Sequence, residues 1–366
     1  MNPIGSEADA RIVIDDLLRA AGWDPADKSM VRTEVSIKVG IASAVDLSES
    51  VTPYPALPDG VIPAATGRAD YVLYAANGRP LAVIEAKKQA TQPYVAKRQA
   101  LPYAKELGAP FIFLANGEFI YFWDYLNDDA RPIDGFYSRR DLERLVEMRA
   151  TRKPLATIPI PEHYFRNGEA RTVRPYQKQA MQALDHAIEL GKRRFLIELP
   201  TGTGKTDLTA LYLKRLFDAG QAERVLFLVD REHLATQALG AFQDLLSGHG
   251  TYWLRAGTER QEQQITVCLL QTMIGRHNEF SAGYFDVVIA DECHRSIYGS
   301  WQLALTHFDA LHIGLTATPA RYIERNTFDF YHCKDGQPDF AYPIRQAFEE
   351  GFLTPYRFAA GITQLI

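Results

Sequence analysis

The sequence predicts an α/β protein in two domains, and three observations carry that expectation. Asn77-Gly78 sits between two apolar, β-rich runs, Gly67–Tyr74 and Leu81–Lys88, which is a strong hairpin signal. Pro200-Thr201-Gly202-Thr203-Gly204-Lys205-Thr206 follows an apolar strand-like run and opens a helix. From Val173 onward, strand-like runs alternate with helix-like ones, the pattern of a parallel sheet with crossover helices.

The totals allow this. A chain of 366 residues can bury two separate cores, and 46% apolar with 23% charged residues is an ordinary globular composition. The formal net charge of −5 is not the bulk signature of a nucleic-acid binder, so any DNA contact must come from local basic grooves. Cys268, Cys293 and Cys333 lie far apart without a C-x-x-C pair, which disfavours disulfides and zinc and suits a reducing cytoplasm. No run reaches the roughly 18 apolar residues of a membrane span, and acids stand where a signal peptide needs a basic region.

Taken in order, Ser6 to Ala21 reads as a helix capped by Ser6 and ended near Gly22. Glu7, Arg11, Ile14 and Leu18 share one stripe of it. Glu7 either offsets the helix dipole or leans toward a nearby acidic site. Val31 to Val39 is strand-like, and the proline-rich Thr52 to Pro63 is a loop.

If Asn77-Gly78 is the whole turn of the hairpin, paired positions sum to 155. Tyr74 then faces Leu81, Val72 faces Val83 and Asp70 faces Glu85. Opposed residues stand about 4.5–5.5 Å apart at Cβ, so two carboxylates there repel unless a cation lies between them. Lys87 projects from the same face one pleat further on. Two acids and a lysine in that arrangement can hold Mg²⁺ against a phosphate, activate water and steady developing charge. The competing reading is an ordinary solvated sheet face.

A helix from about Pro93 to Leu107, stopped by Gly108, puts Gln99 and Tyr103 on one face. They suit either a buried polar pair or a group that orients DNA beside the metal. Pro102 is expected to kink this helix. Phe111–Leu114 and Phe119–Trp123 should pair around Asn116-Gly117, Asp141–Met148 should be a short helix, and Pro154, Pro159 and Pro161 mark a junction. Beyond it, strands are expected at 194–199, 224–229, 265–270, 287–290 and 312–315, apolar enough to be buried on both faces.

The nucleotide chemistry falls at the ends of these strands. Thr201, Gly202, Thr203 and Gly204 let backbone N–H groups approach phosphates, Lys205 reaches the β/γ-phosphates and Thr206 ligates Mg²⁺. The general pattern wants glycine where Leu199 stands. Asp291 is expected in the Mg²⁺ shell and Glu292 to polarise the attacking water. Cys293 is read as a small spacer, and His294 as a sensor of nucleotide state or an ordinary polar contact. Thr316 and Thr318 suit a relay from the Mg²⁺ site to a DNA surface, or a plain turn. Arg174-Pro175-Tyr176-Gln177 precedes a helix, and Gln177 has the donors and acceptors to read an adenine edge.

Gly202 to Thr206, Asp291 to His294 and Thr316 to Thr318 resemble the first lobe of superfamily 2 helicase-type ATPases. With Asp70, Glu85, Lys87, Gln99 and Tyr103 ahead of them, the order resembles the restriction (motor) subunit of type I restriction–modification enzymes. That resemblance implies a restriction-endonuclease-like α/β/α nuclease domain over 1–149 and a linker over 150–172. A RecA-like P-loop ATPase lobe would follow over 173–350, and 351–366 would begin a linker to a second lobe. It further implies ATP and Mg²⁺ as cofactors, double-stranded DNA as substrate, and modification and specificity subunits as partners. Family members complete the ATP site with an arginine of the second lobe, so these 366 residues alone are expected to bind ATP weakly and hydrolyse it slowly. The alternatives are a non-cleaving, nucleotide-responsive DNA-binding or assembly module, and a helicase-nuclease of another phage-defence or repair system.

Overall fold

The computed structural model describes residues 7–38, 66–88, 90–293, 300–319, 321–322 and 325–355. It divides into two units. The first comprises residues up to Arg152 together with Arg276–Phe285 and Thr306–Asp309, and the second the remainder from Lys153.

The first unit contains α1 (Glu7–Ala20), β1 (Val31–Lys38), β2 (Thr66–Tyr74), β3 (Pro80–Ala86), α2 (Lys97–Leu107), β4 (Phe111–Ala115), β5 (Ile120–Trp123), β6 (Arg131–Ile133) and α3 (Arg139–Thr151). Its described strands form one sheet in the order β1-β2-β3-β4-β5-β6. Only β3 and β4 run parallel, joined by α2, as a crossover helix requires. Alternation along the strands builds a core on each face. Tyr71, Leu73, Ile84 and Phe113 pack with Ile14 and Leu18 of α1, while Val72, Val83, Ile112 and Leu114 pack with Ala100 and Ala104 of α2. Three layers result.

The β2–β3 register follows the sum of 155 through Tyr71↔Ile84, Val72↔Val83 and Leu73↔Ala82. The turn differs from expectation. Gly78 alone takes a left-handed φ of +78°, and its N–H donates to the Ala75 carbonyl at 2.9 Å. That is a longer turn with a glycine bulge rather than a two-residue one. A register shift between Leu73 and Tyr74 absorbs the extra residue, so Tyr74 faces Pro80 and not Leu81. The expected helix start near Pro93 is a 3₁₀ turn, Pro93–Ala96, that leads into α2. Pro102 does not break α2, which runs through it to the left-handed Gly108.

The second unit contains β7 (His163–Arg166), β8 (Glu169–Thr172), α4 (Pro175–Glu189), β9 (Arg194–Glu198), α5 (Lys205–Asp218), β10 (Val225–Val229), α6 (Glu232–Leu245), β11 (Thr251–Leu254), β12 (Ile265–Leu269) and α7 (Leu270–Arg276, whose last residue groups with the first unit). It continues with β13 (Val287–Asp291), α8 (Ser300–Thr306, likewise at the boundary), β14 (Leu311–Thr316), β15 (Arg321–Tyr322), β16 (Arg325–Asn326), α9 (Thr327–Phe330), β17 (Phe340–Ala341) and α10 (Ile344–Glu349). The main sheet, ordered β11-β12-β10-β13-β14-β9-β17, is parallel throughout its described pairings. Phe195, Ile197, Phe227, Ile289 and Ile313 pack with Leu208 and Leu211 of α5 and Phe242 of α6. The five expected strands are present within a residue or so, whereas β11 and β17 were not anticipated.

The expected linker over 150–172 is not featureless. It carries the β7–β8 hairpin, which groups with the second unit. Short strands with an exposed β8 have no apolar alternation to betray them.

Gly314 of β14 tests the packing. A Cβ there would overlap the ring of the buried Tyr331. Gly314→Ala is expected to lower stability by about 1–3 kcal/mol, read as a lower urea midpoint by tryptophan fluorescence or circular dichroism.

Candidate functional site

In the first unit, the last ladder pair of β2 and β3 near the site is Tyr71↔Ile84. Asp70 and Glu85 are the next residues outward. Rather than continuing the ladder, Asp70 turns its carboxylate onto β3, where Oδ2 accepts the Ala86 N–H at 2.8 Å. Both acids are buried, Glu85 almost completely. Lys87 Nζ donates to Glu85 Oε1 at 2.8 Å and to Gln99 Oε1 at 2.7 Å. The α2 spacing therefore delivers Gln99 to the lysine, while Tyr103, one turn on, covers Gly67 so closely that a Cβ there would overlap its ring. Asp70, Glu85, Lys87 and Gln99 are thus brought together.

Two neighbours escaped the sequence reading as site residues. Arg11 of α1 donates to Asp70 Oδ1 and also to Glu34 Oε1. Glu34 stands opposite Asp70, between the pairs Thr33↔Tyr71 and Val35↔Ala69. Its φ of +55° is unusual for a residue with a Cβ inside a strand and marks local strain of the kind found at functional sites. The hydrogen bond from Arg11 holds the Glu34 carboxyl below its ordinary range. Arg11 already stood out on the stripe of α1; Glu34 had no sequence signal, because strand parity does not reveal a positive φ. The side chain of Glu7 lies outside the described residues.

In the second unit, Gly202 and Gly204 take φ of +86° and +79°, and α5 starts at Lys205 immediately after the loop. Thr203 is fully buried and turns its hydroxyl back to the Pro200 carbonyl at 2.6 Å, so it fastens the loop from behind. The Tyr176 hydroxyl donates to the Thr203 carbonyl at 2.7 Å, and Arg174 Nη1 donates to that hydroxyl. Gln177 caps α4: its Oε1 accepts the Arg174 N–H at 3.0 Å, while Nε2 faces the Gly204 carbonyl at 3.4 Å. In this structure Arg174 and Gln177 therefore brace the phosphate loop.

A cleft of about 620 Å³ opens in front of it, lined among others by Thr201, Gly202, Lys205, Thr206, Asp291 and Glu292. Arg174 and Gln177 reach it too, with Tyr164, Arg166 and Arg171 of the β7–β8 hairpin, which the sequence reading had missed. Lys205 Nζ donates to Glu292 Oε1 at 2.9 Å across the cleft. Burial pushes the Asp291 carboxyl up to about 6, against the pull of Lys205. Glu292 has a φ of +50°, a second strained acid at a site. Burial raises the Cys293 thiol, which stays an uncharged space-filler. Thr316 is buried at the end of β14, and its Oγ1 accepts the Thr318 N–H at 3.0 Å. His294 lies outside the described residues.

A mixed α/β sheet with two acids and a lysine at its fork, in one chain with a P-loop cleft on a parallel sheet, defines a nuclease-type domain combined with a helicase-type ATPase lobe. Comparison with known proteins gives the family. Residues 62–131 match the family described as type I restriction enzyme R protein N terminus, and residues 171–321 match that described as type III restriction enzyme, res subunit. The EcoAI type I restriction endonuclease subunit of Escherichia coli is 30% identical over 357 residues, which cover 92% of this chain and 41% of that protein. The EcoKI endonuclease subunit of E. coli K12 is 26% identical over 423 residues, 95% of this chain and 35% of that one. A solved fragment described as an HsdR subunit of a type I restriction enzyme from Vibrio vulnificus YJ016 is 26% identical, covers 94% of this chain and 61% of its own, and has a TM-score of 0.40. The chain belongs to the R-subunit family of type I restriction enzymes and corresponds to its N-terminal part; it spans about two fifths of the length of these curated relatives. Among the described residues no helix is long and apolar enough to cross a membrane.

The raised Asp291 carboxyl has a pH consequence with a definite sign. An acid whose folded pKa exceeds the unfolded one binds more protons folded than unfolded, so it favours the fold as pH falls toward its unfolded value. Relative to the Asp291→Asn variant, the parent is expected to gain stability as pH is lowered from 7 to 5, measured by urea midpoints across that range.

Proposed function

We propose that the first unit cleaves DNA with Mg²⁺, and that the second binds and hydrolyses ATP to move duplex DNA past the enzyme in the complete assembly. Modification and specificity subunits would supply the recognition, and the assembly would work in the cytoplasm. The observation that carries this reading is the Asp70–Glu85–Lys87–Gln99 cluster, built at a fork in the sheet at the cost of burying two acids side by side. Acids so placed are poor design for stability and good design for a divalent ion.

The residues fit such an ion. Among the described residues no group of three or more His, Cys, Asp and Glu forms a closed metal cage. Mg²⁺ does not need one, because one or two carboxylates, waters and substrate phosphates usually hold it. Asp70 and Glu85 would supply those carboxylates. Bound there, the ion would lower the pKa of water and offset charge on the phosphate. Lys87, steered by Gln99, would place its ammonium beside the attacked phosphate and lend it positive charge. Tyr103 would help orient the DNA backbone beside the ion.

In the second unit the Lys205–Glu292 pair would open on nucleotide entry. Lys205 would exchange its carboxylate for the β/γ-phosphates, which frees Glu292 to orient the attacking water, while Thr206 and Asp291 would hold Mg²⁺. Thr201, Gly202, Thr203 and Gly204 would shape the backbone cradle, Arg174 and Gln177 would brace it at the base end, and His294, Thr316 and Thr318 would pass the state of the γ-phosphate onward. Contacts to the DNA need no base code, since phosphate contacts suffice for translocation.

The two activities should separate. In the complete restriction complex, Lys87→Ala is expected to cut DNA cleavage at least about 100-fold and leave ATP hydrolysis intact. Lys205→Ala should abolish ATP hydrolysis, read by phosphate release. Cleavage that persists in Lys87→Ala would refute the nuclease assignment.

A further inference from the structure

We propose that Arg11 and Glu34 together set how readily the Asp70 carboxylate accepts a divalent cation, with Arg11 as the competitor and Glu34 as its alternative seat. The inference rests on the reading of Asp70 as a metal ligand. That carboxylate already holds two other partners. Asp70 Oδ2 accepts the Ala86 amide, and Oδ1 is engaged by the Arg11 guanidinium. A cation that approaches Oδ1 must displace an Arg11 hydrogen bond, and a guanidinium left without an acceptor in a partly buried place is costly.

Glu34 removes that cost. Arg11 reaches both acids at once, through Nη2 to Asp70 and Nη1 to Glu34, so it can let go of one and keep the other. Register makes this possible: Glu34 lies across the β1–β2 ladder from Asp70, and its left-handed backbone sets the carboxylate apart from ordinary strand geometry. Arg68, which donates to Glu34 Oε2 at 3.0 Å, fastens the far side of that carboxylate. The Arg11 side chain is about a third exposed and the Asp70 side chain only a tenth, so the arginine is the partner with room to swing. Glu34 therefore acts on the metal through Arg11. Both are positioning residues.

The test is Mn²⁺ binding to the 366-residue chain, followed by calorimetry, with the Asp70→Asn chain as the background to subtract. Arg11→Gln is expected to tighten the Asp70-dependent binding roughly 3–10-fold and Glu34→Gln to weaken it by a similar factor, in line with coupling between neighbouring charges. Simple long-range charge would produce the same two signs. The double variant separates the explanations. If Glu34 works through Arg11, Arg11→Gln/Glu34→Gln binds Mn²⁺ as tightly as Arg11→Gln alone. An additive double variant that returns near the parent affinity would overturn the proposal and leave the metal site standing. Absence of any Asp70-dependent Mn²⁺ binding would overturn both.

Discussion

The nuclease-type unit depends on one place where a β-ladder stops. From Leu73↔Ala82 to Tyr71↔Ile84, β2 and β3 pair regularly, and at the next rung an aspartate side chain takes the backbone amide instead. That substitution does two things. It satisfies the buried Ala86 N–H, which an unpaired fork would leave costly. It also fixes a carboxylate against the strand that carries Glu85 and Lys87, so the charged groups need no further element to converge. Arg11, Glu34 and Gln99 reach this point from α1, β1 and α2, which are packed on or paired to the same two strands.

The P-loop unit solves a comparable problem differently. Its acids stand where β13 ends, its lysine begins α5, and hydrogen bonds tie the loop between them to α4. Tyr176 and Gln177 brace the glycines from behind, so the loop is shaped before any phosphate arrives. The Lys205 ammonium is paired with Glu292, which keeps a buried cation satisfied. In both units a basic side chain pairs with an acid at the site, and catalysis as proposed requires it to change partner.

Much of this was legible in the sequence for reasons that can be named. The sum of 155 holds for Tyr71↔Ile84, Val72↔Val83 and Leu73↔Ala82, though not for Tyr74, because apolar residues on both faces fix strand register there more firmly than turn type does. Gly202, Gly204 and Lys205 were readable because phosphate loops need left-handed backbone, which glycine supplies. Arg11 and Glu34 were not readable as a pair, since their meeting requires α1 to pack on the sheet and one residue of β1 to leave strand geometry. The β7–β8 hairpin turns at Asn167-Gly168, the same dipeptide as Asn77-Gly78, but its strands are four residues each and β8 is polar and exposed, so no apolar alternation flanks that turn. Pro102 is buried on the face of α2 that packs against the sheet, together with Ala100, Leu101 and Ala104, and the helix runs through it.

Strain recurs where the two sites meet their chemistry. Glu34 and Glu292 both have positive φ without being glycine, and each is an acid paired with a basic residue of a proposed site. Neither conformation is repaid by apolar burial, since both side chains are partly exposed. In each case the strain orients a carboxylate that ordinary strand or loop geometry would aim elsewhere. A fold selected for stability alone would relax these positions to extended backbone and lose two ion pairs that tie a sheet fork and a phosphate loop to their cations.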